Sequence, residues 1–326
     1  MRQRVWIWVA LWSLLSLPLR GQRPEWTLGF DQILDNREYF GSFGEHQTLF
    51  GARIDPGFLV SFDSVHRIRA GVNAMFEYGG DPVALRPQPD LSYEYAGRSL
   101  EAVFGFFARR DRLAYPRFFL RDSLAYYRPN VEGALVAYRW SWGRARAWVD
   151  RMGRADETTR EAILAGVDLE IRRGPALLQG LVIRHHLARS EAPDDAHGIN
   201  EDGALAVFAG VDLEDRFSLD RLTLTSGYVA SHRWDRPEPN VWFNGWLSEA
   251  KAARGILHAE ASYYRGDPSP LRYGEPLYAS GNYGRFDLFV DPFRNPRIDS
   301  RIGWSFHFLP GDGLYHSQQI LISVRL

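Results

Sequence analysis

The sequence predicts an all-β fold, namely an antiparallel transmembrane β-barrel of about 16 strands arranged as a meander. Three observations support this prediction. Apolar and polar residues alternate with a period of two in one segment after another, as they do in strands with one apolar face. Short and long connections between these segments alternate along most of the chain. The final segment, Ser317–Leu326, places Ile320, Ile322, Val324 and Leu326 on one face.

Composition excludes several other classes of protein. The chain has 326 residues, of which 45% are hydrophobic, it contains no cysteine, and its net charge is −1. After the N-terminus there is no run of about 18 apolar residues, which a membrane-spanning helix would need. A net charge near zero gives no broad basic surface, so we expect no nucleic-acid partner. A membrane barrel fits this profile, because only alternate residues of its strands contact lipid.

The N-terminus predicts export. Two arginines near the start are followed by the apolar stretch Val5–Leu17, and Pro18 ends that stretch. A positive segment, a short apolar core and a small residue before the cleavage point are typical of a signal peptide. We therefore expect residues 1–21 to be a signal peptide and residues 22–326 to form a single barrel domain.

Sixteen segments have the length and alternation of strands. Ile68 and Val72, for example, share one face of their segment, and Arg67 and Arg69 share the other. If residues 26–34 form a plug or a cap instead of a strand, the count falls to 14. The predicted strands are residues 26–34, 48–62, 67–79, 90–96, 99–110, 131–140, 143–151, 160–172, 175–187, 203–213, 219–233, 240–250, 254–265, 283–291, 298–309 and 316–326.

The connections decide between a barrel and a sandwich, since strands alternate in both. Short turns at residues 97–98 and 173–174 are followed by long links at 111–130 and 188–202, and this order holds for most of the chain. Outer-membrane barrels have short turns at one end and long loops at the other. The link at residues 310–315 is the exception, because it is short where a long loop is expected.

Two stretches resemble known proteins. Residues 36–54 (NREYFGSFGEHQTLFGARI) and 66–73 (HRIRAGVN) are similar to the openings of uncharacterised Bacteroidota-type barrels. With the signal peptide, the meander and the last strand, the chain resembles a bacterial outer-membrane β-barrel of porin-like type. The resemblance implies a place in the outer membrane, contact with its lipid, and recognition of the C-terminal strand by the barrel-assembly machinery. The chain departs from the usual pattern by ending in Leu326 instead of an aromatic residue.

Inward-facing charge is the main functional feature of the sequence. Charged side chains in a dry interior are costly, so the lumen must be hydrated or closed by ion pairs. We expect a passive pore for small polar solutes, and a salt-bridged interior that conducts nothing is equally compatible. The predicted pore-lining residues are Arg67, Arg69, Glu77, Glu101, Arg109, Arg144, Arg146, Asp150, Asp168, Glu170, Arg184, Glu260, Arg285, Asp287 and Arg301.

Two long links have distinctive compositions. Residues 111–130 are too apolar for a solvated loop, so they fold into the lumen as a constriction, pack on the rim, or form an extra hairpin. Residues 188–202 are acidic and match no Ca²⁺-binding pattern, so we interpret them as a solvated loop. The residues expected at a constriction are Phe118, Phe119, Tyr126 and Tyr127.

Enzyme motifs are poor. His185, His186 and His232 lie near Ser190 and Ser231, but the sequence offers no recognisable nucleophile motif and no orienting third residue. We therefore expect no catalytic residue, metal or cofactor, and the chain is predicted not to be an enzyme. The alternatives are a barrel enzyme that acts on lipid or envelope glycan, and a non-conducting structural or adhesion barrel. The sequence indicates no oligomeric state.

Overall fold

The computed structural model is a closed antiparallel barrel of 16 strands, in which neighbours in sequence pair and the first strand pairs with the last. The structure describes residues 23–44, 46–80, 87–110, 112–188, 190, 198–214 and 217–326. The predicted signal peptide lies outside these residues. The predicted all-β barrel is confirmed with 16 strands, and the alternative count of 14 is wrong.

The described residues also contain one short helix, α1, at Asp122–Tyr127, and a 3-10 turn at Pro276–Ser280. No helix among them is long and apolar enough to cross a membrane. The strands are β1 Arg23–Glu38, β2 Gln47–Ser61, β3 His66–Glu77, β4 Gln88–Ala96, β5 Leu100–Ala108, β6 Asn130–Trp140, β7 Gly143–Gly153, β8 Ala162–Arg173, β9 Ala176–Leu187, β10 Asn200–Asp212, β11 Arg221–Asp235, β12 Val241–Arg254, β13 Leu257–Gly266, β14 Asn282–Val290, β15 Ile298–Leu309 and β16 Gly313–Arg325.

The barrel closes through β1, which is longer than the predicted first strand. One edge of β1 pairs with β2 and the other with β16. Phe30 lies opposite Val324, and Leu34 lies opposite Ile320, so the outward apolar faces continue across the closure. Closure is required in lipid, because an open edge would leave backbone N–H and C=O groups unpaired.

The connections divide the barrel into two ends. Short turns, such as residues 141–142 between β6 and β7, lie at one end, which we call the short-turn end. Longer connections, such as residues 154–161 between β7 and β8, lie at the opposite long-loop end. In outer-membrane barrels the short turns are periplasmic and the long loops are extracellular.

Strand β7 shows how the two faces of the wall differ. Its Arg146, Trp148 and Asp150 are buried in the interior, whereas the alternate residues Ala147 and Val149 are exposed on the outside. Successive side chains of a strand point to opposite faces, so this order of residues directs apolar groups toward lipid. The same order recurs along the barrel, as the sequence predicts.

The loop between β5 and β6 folds into the barrel. Phe118 and Phe119 are almost completely buried, and the Phe118 ring lies 5.3 Å from the ring of Tyr264 on the barrel wall. Tyr126 is buried as well, but Tyr127 is 38% exposed and its hydroxyl accepts a hydrogen bond from Gln47 at the long-loop end. Of the three placements expected for this loop, the structure shows the one inside the lumen.

A second loop completes the filling of the barrel. The backbone N–H of Glu275 donates to the carbonyl oxygen of Arg117, and the N–H of Arg121 donates to the carbonyl of Tyr273, at 2.9 and 2.8 Å. The ring of Tyr278 packs against Phe118 at 5.2 Å. We call the two loops together, residues 109–110, 112–129 and 267–281, the plug.

The wall that faces the plug is apolar. Leu164, Leu181, Ile183 and Phe208 point inward from β8, β9 and β10 and are at most 8% exposed. They share one hydrophobic core with Phe118 and other plug residues. In this part of the barrel both faces of the strands are therefore apolar, one toward lipid and one toward the plug.

Candidate functional site

The hairpin of β9 and β10 carries two histidine–carboxylate pairs at the long-loop end. His186 lies opposite Glu201, and His185 lies opposite Asp202, in the register of the two strands. Because consecutive residues of a strand point to opposite faces, one pair faces outward and the other inward. The two pairs therefore lie back to back in the barrel wall.

The outward pair is a histidine held over a buried carboxylate. His186 Nδ1 is 3.1 Å from Glu201 Oε1, and Glu201 is only 2% exposed. Arg236 donates to the same oxygen at 2.9 Å, and Arg184 donates to Oε2. The carboxylate accepts charge-assisted hydrogen bonds from both guanidinium groups, which fix its orientation beneath the imidazole.

The surroundings of the outward pair place it at a membrane interface. The guanidinium of Arg236 lies 4.0 Å from the centre of the Trp234 ring, in cation–π geometry. Nearby on β12, Trp242 is half-exposed on the outside, with its ring 5.0 Å from that of His232. Tryptophan is enriched at the headgroup level of membranes, so we expect the outward pair to lie there.

The inward pair is closed off by the plug. His185 Nδ1 is 2.9 Å from Asp202 Oδ2, and the His185 ring packs on Tyr273 with 4.9 Å between ring centres. The backbone N–H of Arg272 donates to the other oxygen of Asp202 at 3.2 Å. His185 is 2% exposed, and its Nε2 has no hydrogen-bond partner among the described residues.

Each pair joins a histidine to a carboxylate, but the two pairs differ in access. A histidine whose Nδ1–H donates to a carboxylate keeps a lone pair on Nε2, which can accept a proton as a general base. The side chain of His186 is 35% exposed, so a molecule in the outer leaflet can reach it. A molecule cannot reach His185 without displacement of the plug. The candidate active site is therefore the outward pair, with Arg184 and Arg236.

No metal centre accompanies these pairs in the described part of the chain, where no group of three or more His, Cys, Asp or Glu residues is arranged to hold an ion. The positive charge available to a substrate comes instead from Arg184 and Arg236. Their two guanidinium groups outnumber the one carboxylate between them, so the site can attract a phosphate or stabilise an oxyanion.

The predicted pore-lining residues lie on the inward face with one exception. The exception is Arg184, which is exposed on the outside next to the lipid-facing Val182, so its assignment to the lumen is wrong. A role of the others in lining a pore stays a prediction. The inward residues are Arg67, Arg69, Glu77, Glu101, Arg109, Arg144, Arg146, Asp150, Asp168, Glu170, Glu260, Arg285, Asp287 and Arg301.

Several inward charges bind the plug to the wall. Arg117 of the plug lies 3.3 Å from Glu260 and 3.2 Å from Asp287 on the wall, and 2.7 Å from Asp122 in α1. Burial alone would raise the pKa of Asp122, but the guanidinium groups of Arg117 and Arg285 outweigh burial and hold this pKa below its ordinary value. In contrast, burial raises the pKa of Glu275. The plug is thus held by ion pairs as well as by aromatic packing.

Sequence reasoning found the histidines but missed the residues that orient them. Glu201 and Asp202 were assigned to a solvated acidic loop, although they are the first side chains of β10 after Asn200. Arg236 was also missed. The available clue was the pair of adjacent histidines at the end of one strand, followed by adjacent carboxylates at the start of the next. The sequence of the loop between the two strands does not define which residues pair. Only the folded hairpin shows which histidine lies opposite which carboxylate.

The sequence matches one family model. Residues 25–295 match the model of the lipid A 3'-O-deacylase-type family. No curated protein matches the sequence.

Solved outer-membrane barrels share the fold. A loop L8 deletion mutant of OmpT from Vibrio cholerae is 10% identical, with 94% of this chain and 100% of that chain covered and a TM-score of 0.60. OmpF of Salmonella typhi, in complex with daunomycin, is 11% identical, with 94% and 98% covered and a TM-score of 0.54. An anion-selective porin from Comamonas acidovorans is 11% identical, with 93% and 99% covered and a TM-score of 0.52. These similarities confirm the barrel fold and concern the fold alone.

The family match corrects one prediction. The chain was predicted not to be an enzyme, and the match to a family of deacylase type contradicts this. The prediction failed because it required an orienting residue near the histidines in sequence. In the folded barrel that residue comes from the neighbouring strand, as Glu201 does for His186.

Proposed function

The chain belongs to the lipid A 3'-O-deacylase-type family, and we propose on that premise that it is an outer-membrane hydrolase that cleaves an acyl ester of lipid A. The observation that supports the proposal most directly is the pairing of His186 with the buried Glu201 on the lipid-facing side of the wall. The site lies at the long-loop end, which faces the outer leaflet in outer-membrane barrels.

His186 is the proposed general base. Its Nδ1–H donates to Glu201, and its Nε2 takes a proton from a water molecule that attacks the carbonyl carbon of the ester. The carboxylate keeps the imidazole in the tautomer required and stabilises the imidazolium that forms. The tetrahedral intermediate then collapses, the sugar oxygen leaves with the proton from His186, and a free fatty acid and an alcohol remain.

Arg184 and Arg236 are the proposed anion-binding groups. One guanidinium can face the oxygen on which negative charge develops, while the other contacts a phosphate of the lipid. Both side chains are partly exposed, at 59% and 39%, so their remaining N–H donors are accessible from outside the barrel.

The plug argues against a passive pore. Phe118, Phe119 and Leu277 are at most 1% exposed at positions inside the barrel, so aromatic and aliphatic side chains fill the lumen there. The ion pairs of Arg117 hold this filling to the wall. A hydrolase with its active site on the outer surface does not require an open lumen.

The test compares two adjacent histidines. The purified protein is incubated with vesicles that contain lipid A, and released fatty acid is measured by mass spectrometry. We expect His186→Asn to lower the rate about 10²- to 10⁴-fold, the usual contribution of a general base. His185→Asn is the matched control and should hydrolyse at the wild-type rate, since its side chain faces the plug. Wild-type activity in the His186 variant, or no hydrolysis by the wild type, would refute the proposal.

A further inference from the structure

A cavity of about 370 Å³ lies inside the barrel, between the plug and the short-turn end. Its roof includes Ala114 and Pro116 of the plug. Its walls reach Glu214, which lies in a turn and is exposed, so the cavity opens toward the periplasm. The volume is within the range of small-molecule binding sites. The outward histidine pair is not part of this cavity.

Much of the charge in the cavity is already neutralised. Arg146 lies 2.7 Å from Asp168, Arg144 lies 3.6 Å from Glu170, and Arg172 is paired with Asp212. These ion pairs form a fixed polar wall on β7, β8 and β10. Because these charges already have partners, the charges of the opposite wall, on β11 and β12, determine what the cavity can bind.

Three charged residues of that opposite wall have no close ion pair, although Lys251 lies opposite Glu260 in the register of β12 and β13. Lys251, Arg221 and Glu249 line the cavity, and none of them has an ion pair within 4.0 Å among the described residues. Lys251 is the only lysine in the whole sequence. Two cations and one carboxylate of this wall therefore face one small space, and Glu214, which also has no ion pair among the described residues, lies at its rim.

The spacing of these charges fits a molecule that carries both signs. Glu249 and Lys251 are two residues apart on one face of β12, which separates their backbones by about 6.8 Å. Thr223 lies opposite Lys251, and Thr225 lies opposite Glu249, with cross-strand side chains about 5 Å apart. An acidic group can lie between Lys251 and Arg221, while an ammonium a few bonds away reaches Glu249. The threonine hydroxyls can donate to the acidic group or accept from the ammonium.

We propose that this cavity is a periplasmic binding site for a small zwitterion with a carboxylate and an ammonium, such as an amino acid. Lys251 and Arg221 would bind the carboxylate, and Glu249 would bind the ammonium. A simple anion would add a second negative charge beside Glu249, and a simple cation would add a further positive charge beside Lys251 and Arg221. The proposal is independent of the hydrolase site.

The single lysine provides a direct test. The purified full-length protein in detergent micelles is treated with acetic anhydride, and acetylation of Lys251 is followed by peptide mass spectrometry. Glycine betaine is the probe, because its quaternary ammonium does not react with the reagent. We expect saturable protection, with acetylation about tenfold slower when betaine is at ten times its dissociation constant. Propionate, tetramethylammonium and sucrose serve as anion, cation and osmolyte controls, and should protect little.

Two variants with the same chemical change complete the test. Glu249→Gln should lose the protection by betaine, whereas Glu157→Gln, in an exposed loop at the far end, should keep it. The heat-dependent gel mobility of folded barrels verifies that both variants are folded. Equal protection by propionate would show that the cavity binds anions and not zwitterions. Equal protection by sucrose would show that the effect is a general stabilisation of the fold. Absence of protection by betaine would exclude the site, and none of these results depends on hydrolytic activity.

Discussion

His185 and His186 are neighbours in sequence, and each lies beside a carboxylate of β10, yet the barrel gives them opposite environments. His186 faces outward over Glu201, with two arginines and a tryptophan around it. His185 faces inward over Asp202 and lies beneath Tyr273 of the plug. The outward pair is accessible to a lipid, whereas the inward pair is part of the packed interior.

The difference shows that composition alone does not define a site. A histidine–carboxylate pair can act as a base only where a substrate can reach Nε2. A buried pair with satisfied hydrogen bonds instead specifies how the interior packs. Three variants separate these two roles, and they differ in the size of the expected effect.

The largest effect should follow from Glu201→Gln. Without the carboxylate, the imidazolium of His186 loses its stabilising charge and the correct tautomer is no longer enforced, so the rate of ester hydrolysis should fall about 10²-fold or more. Fatty acid release from lipid A vesicles measures this. Asp202→Asn, the same change in the inward pair, should leave the rate unchanged. An equal loss of rate in both variants would show that the outward pair is not the specific site of hydrolysis.

An intermediate effect should follow from Asp202→Ala. This change leaves Nδ1 of the buried His185 without its partner, and an unsatisfied buried polar group costs about 1–3 kcal/mol. The free energy of unfolding should fall by that amount in urea titrations of the protein in micelles. The exposed Glu238 at the same end provides the control, since Glu238→Ala should not move the unfolding midpoint. Equal midpoints in the two variants would show that the inward pair does not stabilise the fold.

The smallest effect should follow from Trp234→Leu. The ring holds the guanidinium of Arg236, and a partly exposed cation–π contact contributes about 0.5–1 kcal/mol. Loss of that contact should raise KM for lipid A roughly two- to fivefold, by the relation of free energy to binding, and leave kcat unchanged. Trp142→Leu, at a half-exposed tryptophan of the opposite end, is the matched control. A fall in kcat with unchanged KM would show that Arg236 acts on the transition state and not on binding.

The sequence predicted the architecture because alternation is strong where a wall separates lipid from a polar interior. It predicted the 16 strands and the inward position of residues such as Arg146 and Asp168, while the partner of the last strand stayed open between residues 26–34 and 48–62. It also identified the loop of Phe118 and Phe119 as too apolar for solvent. Each of these predictions depends on local pattern and length alone.

The prediction for Arg184 failed where the pattern is weak. From Gly180 to Ile183, β9 is apolar on both faces, because Leu181 and Ile183 contact the interior packing while Val182 faces lipid. A strand with two apolar faces gives no indication of which side is inside. The plug is the physical cause, since it replaces water and charge in that part of the lumen.

By itself, the sequence determined a closed barrel of alternating strands with lipid-facing apolar residues. Closure follows from the need to pair every backbone group in a membrane, and alternation follows from a wall that separates lipid from the interior. The tertiary structure alone decided which carboxylate lies under which histidine, and which pair faces out. A shift of β9 by one residue relative to β10 would exchange the faces of His185 and His186, and so change which carboxylate lies beside each histidine. That register is fixed across a long loop, so no local feature of the chain reveals it.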